Sequence, residues 1–317
     1  MTVARPKRFD RGVDGILLLD KPQGVSSNAA LQQARGLFRA LKAGHAGSLD
    51  PLATGMLPIC FGQATKVCGY LLNSRKTYRV AAKLGSKTDS ADADGVVIEQ
   101  APVPELSQSQ IEVVLQSFLG AQLQVPPMYS ALKQQGRRLY ELARSGEVVE
   151  REPRNIVIER IQLRQHDSGQ IEFEVRCSKG TYVRSLVEDV AARLGTLAHV
   201  SMLRRVQVDP FEAARMVTLE QLESLSLAQR DALLQTADVA LQEIPLLNLD
   251  AAQEIDLFHG KPVAGFSQLE AGLWRAYGST QRFLGLVRAD GQGQVCAERL
   301  FPPPVGPITA PVPAAPV

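Results

Sequence analysis

Residues 44–55 read Gly44-His45-Ala46-Gly47-Ser48-Leu49-Asp50-Pro51-Leu52-Ala53-Thr54-Gly55. Asp50 is the only acidic residue between Asp20 and Asp89, an interval that holds ten lysines and arginines. Pro51 disfavours the helical region for Asp50, and the glycines allow backbone angles and close approaches that larger residues forbid. An ordinary surface turn has the same composition. The alternative is a functional loop that presents one carboxylate to a closely approaching ligand.

Length and composition predict a chain with two domains. The 317 residues are 45% hydrophobic, so one large domain and one smaller domain are expected. The net charge of +2 does not by itself indicate a nucleic-acid-binding protein. The N-terminal hundred residues nevertheless carry most of the excess of lysine and arginine, which favours an anionic ligand on one face.

Cysteine usage and the N-terminal sequence predict a soluble protein of the reducing cytoplasm. The four cysteines include no CxxC pair and have no histidine nearby at ligand spacing, so neither a zinc site nor a disulfide framework is predicted. The apolar run at residues 16–19 is too short for a signal peptide or a membrane span. We therefore expect a cytoplasmic protein without a membrane segment.

Hydrophobic periodicity predicts strands and helices on both sides of the glycine-rich loop. Residues 16–19 are typical of a buried strand. Ser26, Ser27 or Asn28 is expected to begin a helix, which would end just before the loop. The spacing of its apolar residues predicts a buried face made of Leu31, Ala34, Phe38 and Leu41.

The same reasoning predicts the later elements. Residues 85–95 contain three aspartates without the spacing of a calcium-binding loop, so a solvated loop is expected there. The chain ends, residues 1–13 and 302–317, are expected to be disordered tails. Helices are predicted at 64–72, 107–119, from 181 and twice within 218–243, and strands at 77–84, 126–133, 155–165, 170–177, 263–266, 274–277, 283–287 and 295–300.

The glycine-rich loop, continued to Lys66, closely resembles the catalytic segment of bacterial TruB-type tRNA pseudouridine-55 synthases. The resemblance includes Gly15-Ile16-Leu17-Leu18-Leu19-Asp20-Lys21-Pro22-Gln23-Gly24 upstream, and Cys177-Ser178-Lys179-Gly180-Thr181-Tyr182-Val183-Arg184 and His199-Val200-Ser201-Met202-Leu203-Arg204-Arg205 downstream. It implies an α+β fold, in which helices flank a mixed, mainly antiparallel sheet. The implied parts are a basic tail at 1–13, a catalytic domain at 14–245, a small PUA-like β-barrel RNA-binding domain at 246–301 and a Pro-rich tail at 302–317.

The resemblance also assigns roles to single residues. Asp50 matches the catalytic nucleophile, and Arg184 matches the arginine that pairs with it and keeps it ionised. Tyr78, which would be assigned to the core from its place at a strand start, matches the tyrosine that stacks on the target base. Tyr182 and Leu203 match substrate-contacting residues.

Two further residues have open alternatives. A lone histidine in a glycine-rich loop fits a general base, a metal ligand or a wedge, and the resemblance implies that His45 helps to extrude the nucleotide. Lys21 fits either a phosphate contact or a solvated turn residue, and the resemblance makes a structural or an RNA-side role plausible.

These roles imply a tRNA pseudouridine-55 synthase that flips a T-loop uridine, cleaves its glycosidic bond with Asp50 and rejoins the base through C5. The reaction has no net redox change, so no cofactor and no metal are expected. The expected partner is the T-stem-loop of tRNA, and a monomer is expected.

Two other functions are alternatives to a pseudouridine synthase. A glycosidase requires two carboxylates about 5 to 9.5 Å apart, and the motif supplies one. The other alternative is an RNA-binding protein that folds tRNA without essential catalysis, but the combination of Asp50, Tyr78 and Arg184 favours the enzyme.

Overall fold

The computed structural model describes residues 9–130, 132–134, 136–147 and 149–302. The chain forms two compact units that divide between Ala240 and Leu241, shortly before the boundary expected at 245/246. Residues 1–8 of the predicted basic tail and 303–317 of the Pro-rich tail lie outside the described residues. Residues 9–13 are not a free tail, because Val13 is buried and Arg11 pairs with Asp231 at 2.5 Å.

The first unit is built on a mixed sheet. Seven strands lie in the order β1-β3-β12-β4-β11-β10-β7, and β2 pairs with β3 beside them. All neighbours are antiparallel except β3 and β12, so the predicted mixed, mainly antiparallel sheet is confirmed. The hairpins β5–β6 and β8–β9 lie outside this sheet. The strands are β1 (Gly15–Lys21), β2 (Ala43–His45), β3 (Thr54–Phe61), β4 (Lys76–Leu84), β5 (Ser86–Thr88), β6 (Val97–Gln100), β7 (Gly120–Gln124), β8 (Lys133–Gln134), β9 (Arg137–Arg138), β10 (Arg154–His166), β11 (Gln170–Cys177) and β12 (Ala198–Val208).

Helices pack on this sheet and form two apolar cores. Helices α3 and α5 cover strands β4, β10, β11 and β12, and α1 and α6 cover β1 and β3. The helices are α1 (Ser27–Phe38), α2 (Cys68–Asn73), α3 (Gln108–Gln116), α4 (Leu139–Arg144), α5 (Val183–Arg193), α6 (Leu219–Ser224) and α7 (Leu227–Asp231), with 3₁₀ turns at Gly62–Val67, Ala213–Arg215 and Ala237–Leu241.

Local interactions determine where helix α1, which precedes the loop, begins and ends. Its N-cap is Ser26, whose hydroxyl accepts a hydrogen bond from the N–H of Ala29 at 3.2 Å. The helix ends at Phe38 because Arg39 takes a left-handed conformation with φ 54°. The prediction that Leu41 shares the buried face is therefore wrong: Leu41 lies beyond the helix and is 57% exposed.

Several predicted elements differ from the structure. Helix α1 ends at Phe38, and the first two residues of the glycine-rich loop belong to strand β2, so the loop does not directly follow a helix end. The described residues from 126 to 132 contain no strand, and the chain pairs earlier, through β7, with β10. Residues 86–88 are a strand within the predicted loop 85–95. Period-2 patterns are weak in these short segments, so pairing partners decide their conformation.

The second unit contains one five-stranded sheet in the order β13-β15-β16-β17-β14. Helix α8 was not predicted, although Asp250 and Gln253 form a capping box at its start. Helix α8 contributes Leu257 to the apolar core of this unit. The elements are β13 (Leu246–Asn248), α8 (Ala251–Phe258), β14 (Val263–Ala264), β15 (Gly272–Tyr277), β16 (Phe283–Ala289) and β17 (Gln294–Leu300). Across both units, none of the described helices combines the length and apolar character needed to cross a membrane.

Candidate active site

A cavity of about 350 Å³ opens where the glycine-rich loop meets β4, β12 and the start of α5. These elements are distant in sequence and meet because β12 lies between β3 and β4 in the sheet. The cavity brings together five of the predicted site residues. They are Asp50, Tyr78, Tyr182, Arg184 and Leu203.

The carboxylate of Asp50 forms an ion pair with Arg184. The Nε of Arg184 lies 2.9 Å from Oδ2 of Asp50, and the side chains are 4% and 41% exposed, respectively. Arg184 also donates from Nη1 to the carbonyl of Ser90 at 2.7 Å and from Nη2 to that of Tyr129 at 2.6 Å. Because all three nitrogens of the guanidinium have acceptors, its plane is held in one orientation toward Asp50.

A second carboxylate, that of Asp92, is close to the same nitrogen of Arg184. It is 5% exposed, and its Oδ2 is 3.9 Å from Nε of Arg184. The hydroxyl of Ser90 donates to its Oδ1 at 2.5 Å, and the N–H of Asp94 donates to the same oxygen at 3.2 Å. The prediction of solvated aspartates in this loop is wrong for Asp92. Asp92 does not line the cavity, so Asp50 is the carboxylate presented to a ligand.

Burial is the main influence on the acidity of Asp50. It raises the pKa of the carboxyl above its ordinary value, and Asp92 adds to this shift, whereas Arg184 and Lys21 oppose it. Arg184 therefore acts in the direction that the family resemblance implies, but the net pKa shift is upward. The ionised carboxylate is a better base and nucleophile than a solvated aspartate.

Lys21 lies inside the structure and not on an RNA-facing surface. It has no exposed area, and its ammonium donates to the carbonyls of Pro22 at 2.8 Å, Val25 at 2.6 Å and Pro51 at 3.4 Å. Burial lowers the pKa of Lys21 to about 8. The solvated-turn alternative is wrong, and no phosphate contact is possible without movement. The contacts instead tie the turn after β1 to the residue that follows Asp50.

The aromatic and apolar wall of the cavity comes from β4, β12 and the start of α5. Tyr78 lies on β4, and burial raises the pKa of its phenol while Arg205 opposes this shift. Leu203 pairs with Val80 in the neighbouring strand and is nearly buried. Tyr182 is the N-cap of α5. These residues form an apolar surface with a ring that is wide enough to cover a base.

Gln124 holds the backbone of Tyr182 at the start of α5. Its Oε1 accepts from the N–H of Tyr182 at 2.8 Å, and its Nε2 donates to the carbonyl of Tyr182 at 3.1 Å. Burial raises the pKa of the Tyr182 phenol. The first turn of α5, and with it Arg184, is thereby attached to the edge strand β7.

His45 is placed apart from the other predicted site residues. It lies on β2 opposite Ile59 and is not among the residues that line the cavity. Burial and the charge of Arg205 lower the pKa of its imidazole. Within the described part of the chain, its buried Nδ1 has no hydrogen-bond partner. Among the described residues, no group of three or more His, Cys, Asp or Glu is arranged to hold a metal ion.

Sequence reasoning missed two cations at the cavity, Arg205 and Lys76. Both side chains are nearly buried and line the cavity. Lys76 donates to three carbonyls at the end of α2, and its pKa is lowered to about 8, mainly by burial. Arg205 belongs to a quoted motif, but no local pattern distinguishes it from the neighbouring Arg204, which is more exposed.

Family models match successive parts of the chain. The TruB family pseudouridylate synthase N-terminal domain matches residues 35–183, and the tRNA pseudouridylate synthase B C-terminal domain matches 184–249. A third model, the C-terminal domain of pseudouridine synthase II TruB, matches 245–301. A tRNA pseudouridine synthase B from Methylobacillus flagellatus is 47% identical over 295 residues, which are 93% of this chain and 97% of that protein. The chain belongs to the TruB family of pseudouridine synthases.

Other relatives and solved structures are consistent with this assignment. A tRNA pseudouridine synthase B from Chromohalobacter salexigens is 49% identical over 300 residues, which are 93% of this TruB-family chain and 96% of that protein. An archaeal box H/ACA sRNP Nop10-Cbf5 complex contains a chain with a TM-score of 0.68 at 21% identity, covering 95% of this chain and 93% of that one. That second similarity shows a shared fold. The resemblance inferred from the motifs is thus confirmed.

Proposed function

We propose that this protein converts a uridine in the T-stem-loop of tRNA to pseudouridine, with Asp50 as nucleophile. The observation that carries the proposal is the ion pair between Asp50 and Arg184 at the wall of a cavity that also contains Tyr78 and Leu203. The curated relatives bear the name tRNA pseudouridine synthase B, which supports tRNA as the substrate. We propose that the protein acts as a monomer.

The proposed reaction needs no atoms from outside the substrate and solvent. The target uridine leaves the RNA stack, with His45 at the site where the RNA loop is disrupted, and its base stacks on Tyr78. Attack by Asp50 supports cleavage of the bond between N1 and the ribose. The base then turns and C5 bonds to C1′ of the ribose while the bond between Asp50 and the substrate breaks, which regenerates the free carboxylate. The C5 proton goes to solvent and N1 gains a proton. Arg184 keeps the carboxylate aimed, and Leu203 and Tyr182 confine the detached base.

Tritium release tests this proposal. The purified protein is incubated with unmodified tRNA that carries tritium at uridine C5, and tritium in water is counted with and without a chelator of divalent metals. We expect release from one uridine per tRNA, and none from a tRNA whose T-loop uridine is replaced by cytidine. Binding of tRNA without any tritium release would instead indicate an RNA-folding protein.

Tyr78→Leu tests the stacking role. Leucine keeps apolar bulk but lacks the ring face and the hydroxyl. We expect tRNA binding within about threefold of wild type and a turnover rate about 5- to 150-fold lower, because stacking contributes roughly 1 to 3 kcal/mol per base. Single-turnover tritium release and filter binding measure the two quantities. Tyr70→Leu on α2 is the matched control. Equal turnover of the Tyr78 variant and wild type would mean that Tyr78 serves only the core.

We further propose that residues 246–301 are a PUA-like domain that binds and positions tRNA. Every site residue named above precedes residue 206, and the compact units divide near residue 240, which supports this division of labour. A chain that ends at Glu243 is expected to have a KM for tRNA raised by about tenfold, with a smaller loss in kcat, as when uniform binding is removed. Thermal melting must show that the shortened chain is folded. A normal KM with almost no kcat would refute the division.

A further inference from the structure

Arg205 connects both ends of the loop that carries Asp50. It lies on β12 and is 1% exposed. Its Nη2 donates to the carbonyl of Gly47 at 3.0 Å, on the N-terminal side of Asp50, and its Nε donates to the carbonyl of Met56 at 2.7 Å, on the C-terminal side. Nη1 lies 3.5 Å from the carbonyl of Ser48. One buried side chain thus bridges the two ends of the loop.

Two glycines of the loop lie close to the same arginine. Gly55 has φ +100°, and a β-carbon there would lie 2.2 Å from the carbonyl oxygen of Arg205. Gly47 has φ +94°, and its β-carbon would lie 3.4 Å from Nη1 of Arg205. Glycine adopts these angles readily, and at Gly55 it also leaves room for the backbone of Arg205. The glycines on either side of Asp50 therefore let the loop pass close to Arg205.

The same arginine also faces the ring that is proposed to stack on the base. Arg205 and Tyr78 are directly opposite each other in the antiparallel pair β12–β4, so their side chains lie on one face of the sheet. The charge of the guanidinium acts on the phenol and opposes the burial that raises the pKa of Tyr78. Arg205 consequently holds the loop that presents the nucleophile and lies beside the residue that is proposed to hold the base.

We propose that Arg205 is a positioning residue that fixes the position of Asp50 relative to Tyr78. It does not contact the Asp50 carboxylate, which is held by Arg184, and its hydrogen bonds go to backbone carbonyls. Without Arg205 the loop keeps its sequence but loses the attachment that fixes its distance from β4. A displacement of about 1 Å at a reacting group costs on the order of 100-fold in rate.

The variant Arg205→Lys tests the inference most sharply. Lysine keeps the charge, but its single ammonium cannot reproduce the fork of a guanidinium that reaches both Gly47 and Met56. We expect kcat for tritium release to fall about 100-fold, while the KM and the Kd for tRNA stay within about threefold of wild type. Arg204→Lys is the matched control. Arg204 is adjacent on β12 but pairs with Asp20, so its kcat should stay within about threefold of wild type.

Hydrogen exchange supplies a readout that does not depend on activity. In Arg205→Lys, amides of residues 46–55 should exchange faster than in wild type, whereas those of α3 should be unchanged. Arg205→Met, which removes all the hydrogen-bond donors of the side chain, is a second variant. Thermal melting checks the fold of each variant, and Arg205→Lys is sufficient for the test if Arg205→Met does not fold. A near-normal kcat for Arg205→Lys, unchanged exchange in the loop, or a loss of tRNA affinity as large as the loss of kcat would overturn the inference.

The inference rests on the proposed function, and the two can fail separately. A wild-type protein that releases no tritium from any tRNA removes the proposed function. An active wild type whose Arg205→Lys variant is equally active removes only the role of Arg205.

Discussion

Asp50→Asn is expected to abolish tritium release while tRNA still binds. The substitution keeps the size of the side chain but removes the negative charge and the nucleophilic oxygen. Among the described residues that line the cavity, no other is a carboxylate, and Asp92, which is also close to Nε of Arg184, does not line it. We expect a fall in the single-turnover rate of at least about four orders of magnitude, as for a residue that is central to the chemistry.

Filter binding and thermal melting complete this experiment. The affinity for tRNA should stay within about threefold of wild type, because Asp50 is acidic and contributes no attraction to phosphate. Asp10→Asn, which removes the same charge from a surface ion pair with Arg39, is the control and should remain active. An Asp50→Asn protein that retains a tenth or more of the wild-type rate would show that another group attacks the substrate.

Arg184→Met is expected to lower activity strongly and to change its dependence on pH. Methionine fills similar space but donates no hydrogen bonds, so the carbonyls of Ser90 and Tyr129 lose their donor and Asp50 loses its partner. Removing one partner of a buried, hydrogen-bonded charge pair costs about 3 to 5 kcal/mol of folding stability, and a smaller loss is expected here because Asp50 is partly exposed. Because the Asp50 carboxylate is also no longer held in position, we expect kcat to fall by about 100-fold.

The direction of the pH shift follows from the influences on Asp50. Arg184 lowers the pKa of Asp50, so its removal should raise that pKa further and move the acidic limb of the kcat profile to higher pH. Asp92 raises the pKa of Asp50, so Asp92→Asn should move the limb to lower pH. Profiles of both variants and wild type measure this opposition. A limb that stays in place in both variants would show that a group other than Asp50 sets it.

The structure explains why some of the site was accessible to sequence reasoning. Strand β4 and helix α5 follow from periodicity, since alternation at residues 77–84 and the apolar spacing after Thr181 are local properties. The family resemblance of the quoted motifs then predicted which residues of these elements carry chemistry. The separation of Asp50 and Arg184 does not follow from periodicity or from the motifs, because it depends on the position of β12 between β3 and β4.

The burial of several charged residues was not predicted from the sequence. Lys21, Asp92 and Arg205 all have the composition of surface residues, and no pattern around them predicts that they are at most 5% exposed. Arg205 is tolerated inside because a remote loop supplies its carbonyl partners. Lys21 and Asp92 have local partners, and each also meets one remote group: the carbonyl of Pro51 for Lys21 and Arg184 for Asp92. Such remote partners exist only after the segments have packed together.

The sequence by itself determined the α+β class and the identity of the loop that carries Asp50, because its motifs resemble those of a known family. It also determined the separation of a strand-rich C-terminal region, because the spacing of apolar residues is a local property. The tertiary structure alone decided that Arg184 reaches Asp50, that Asp92 supports Arg184, and that Arg205 closes the loop and faces Tyr78. Those contacts join residues on different strands and loops, so their distances and their effects on the pKa of Asp50 arise only when the sheet has set the register of its strands.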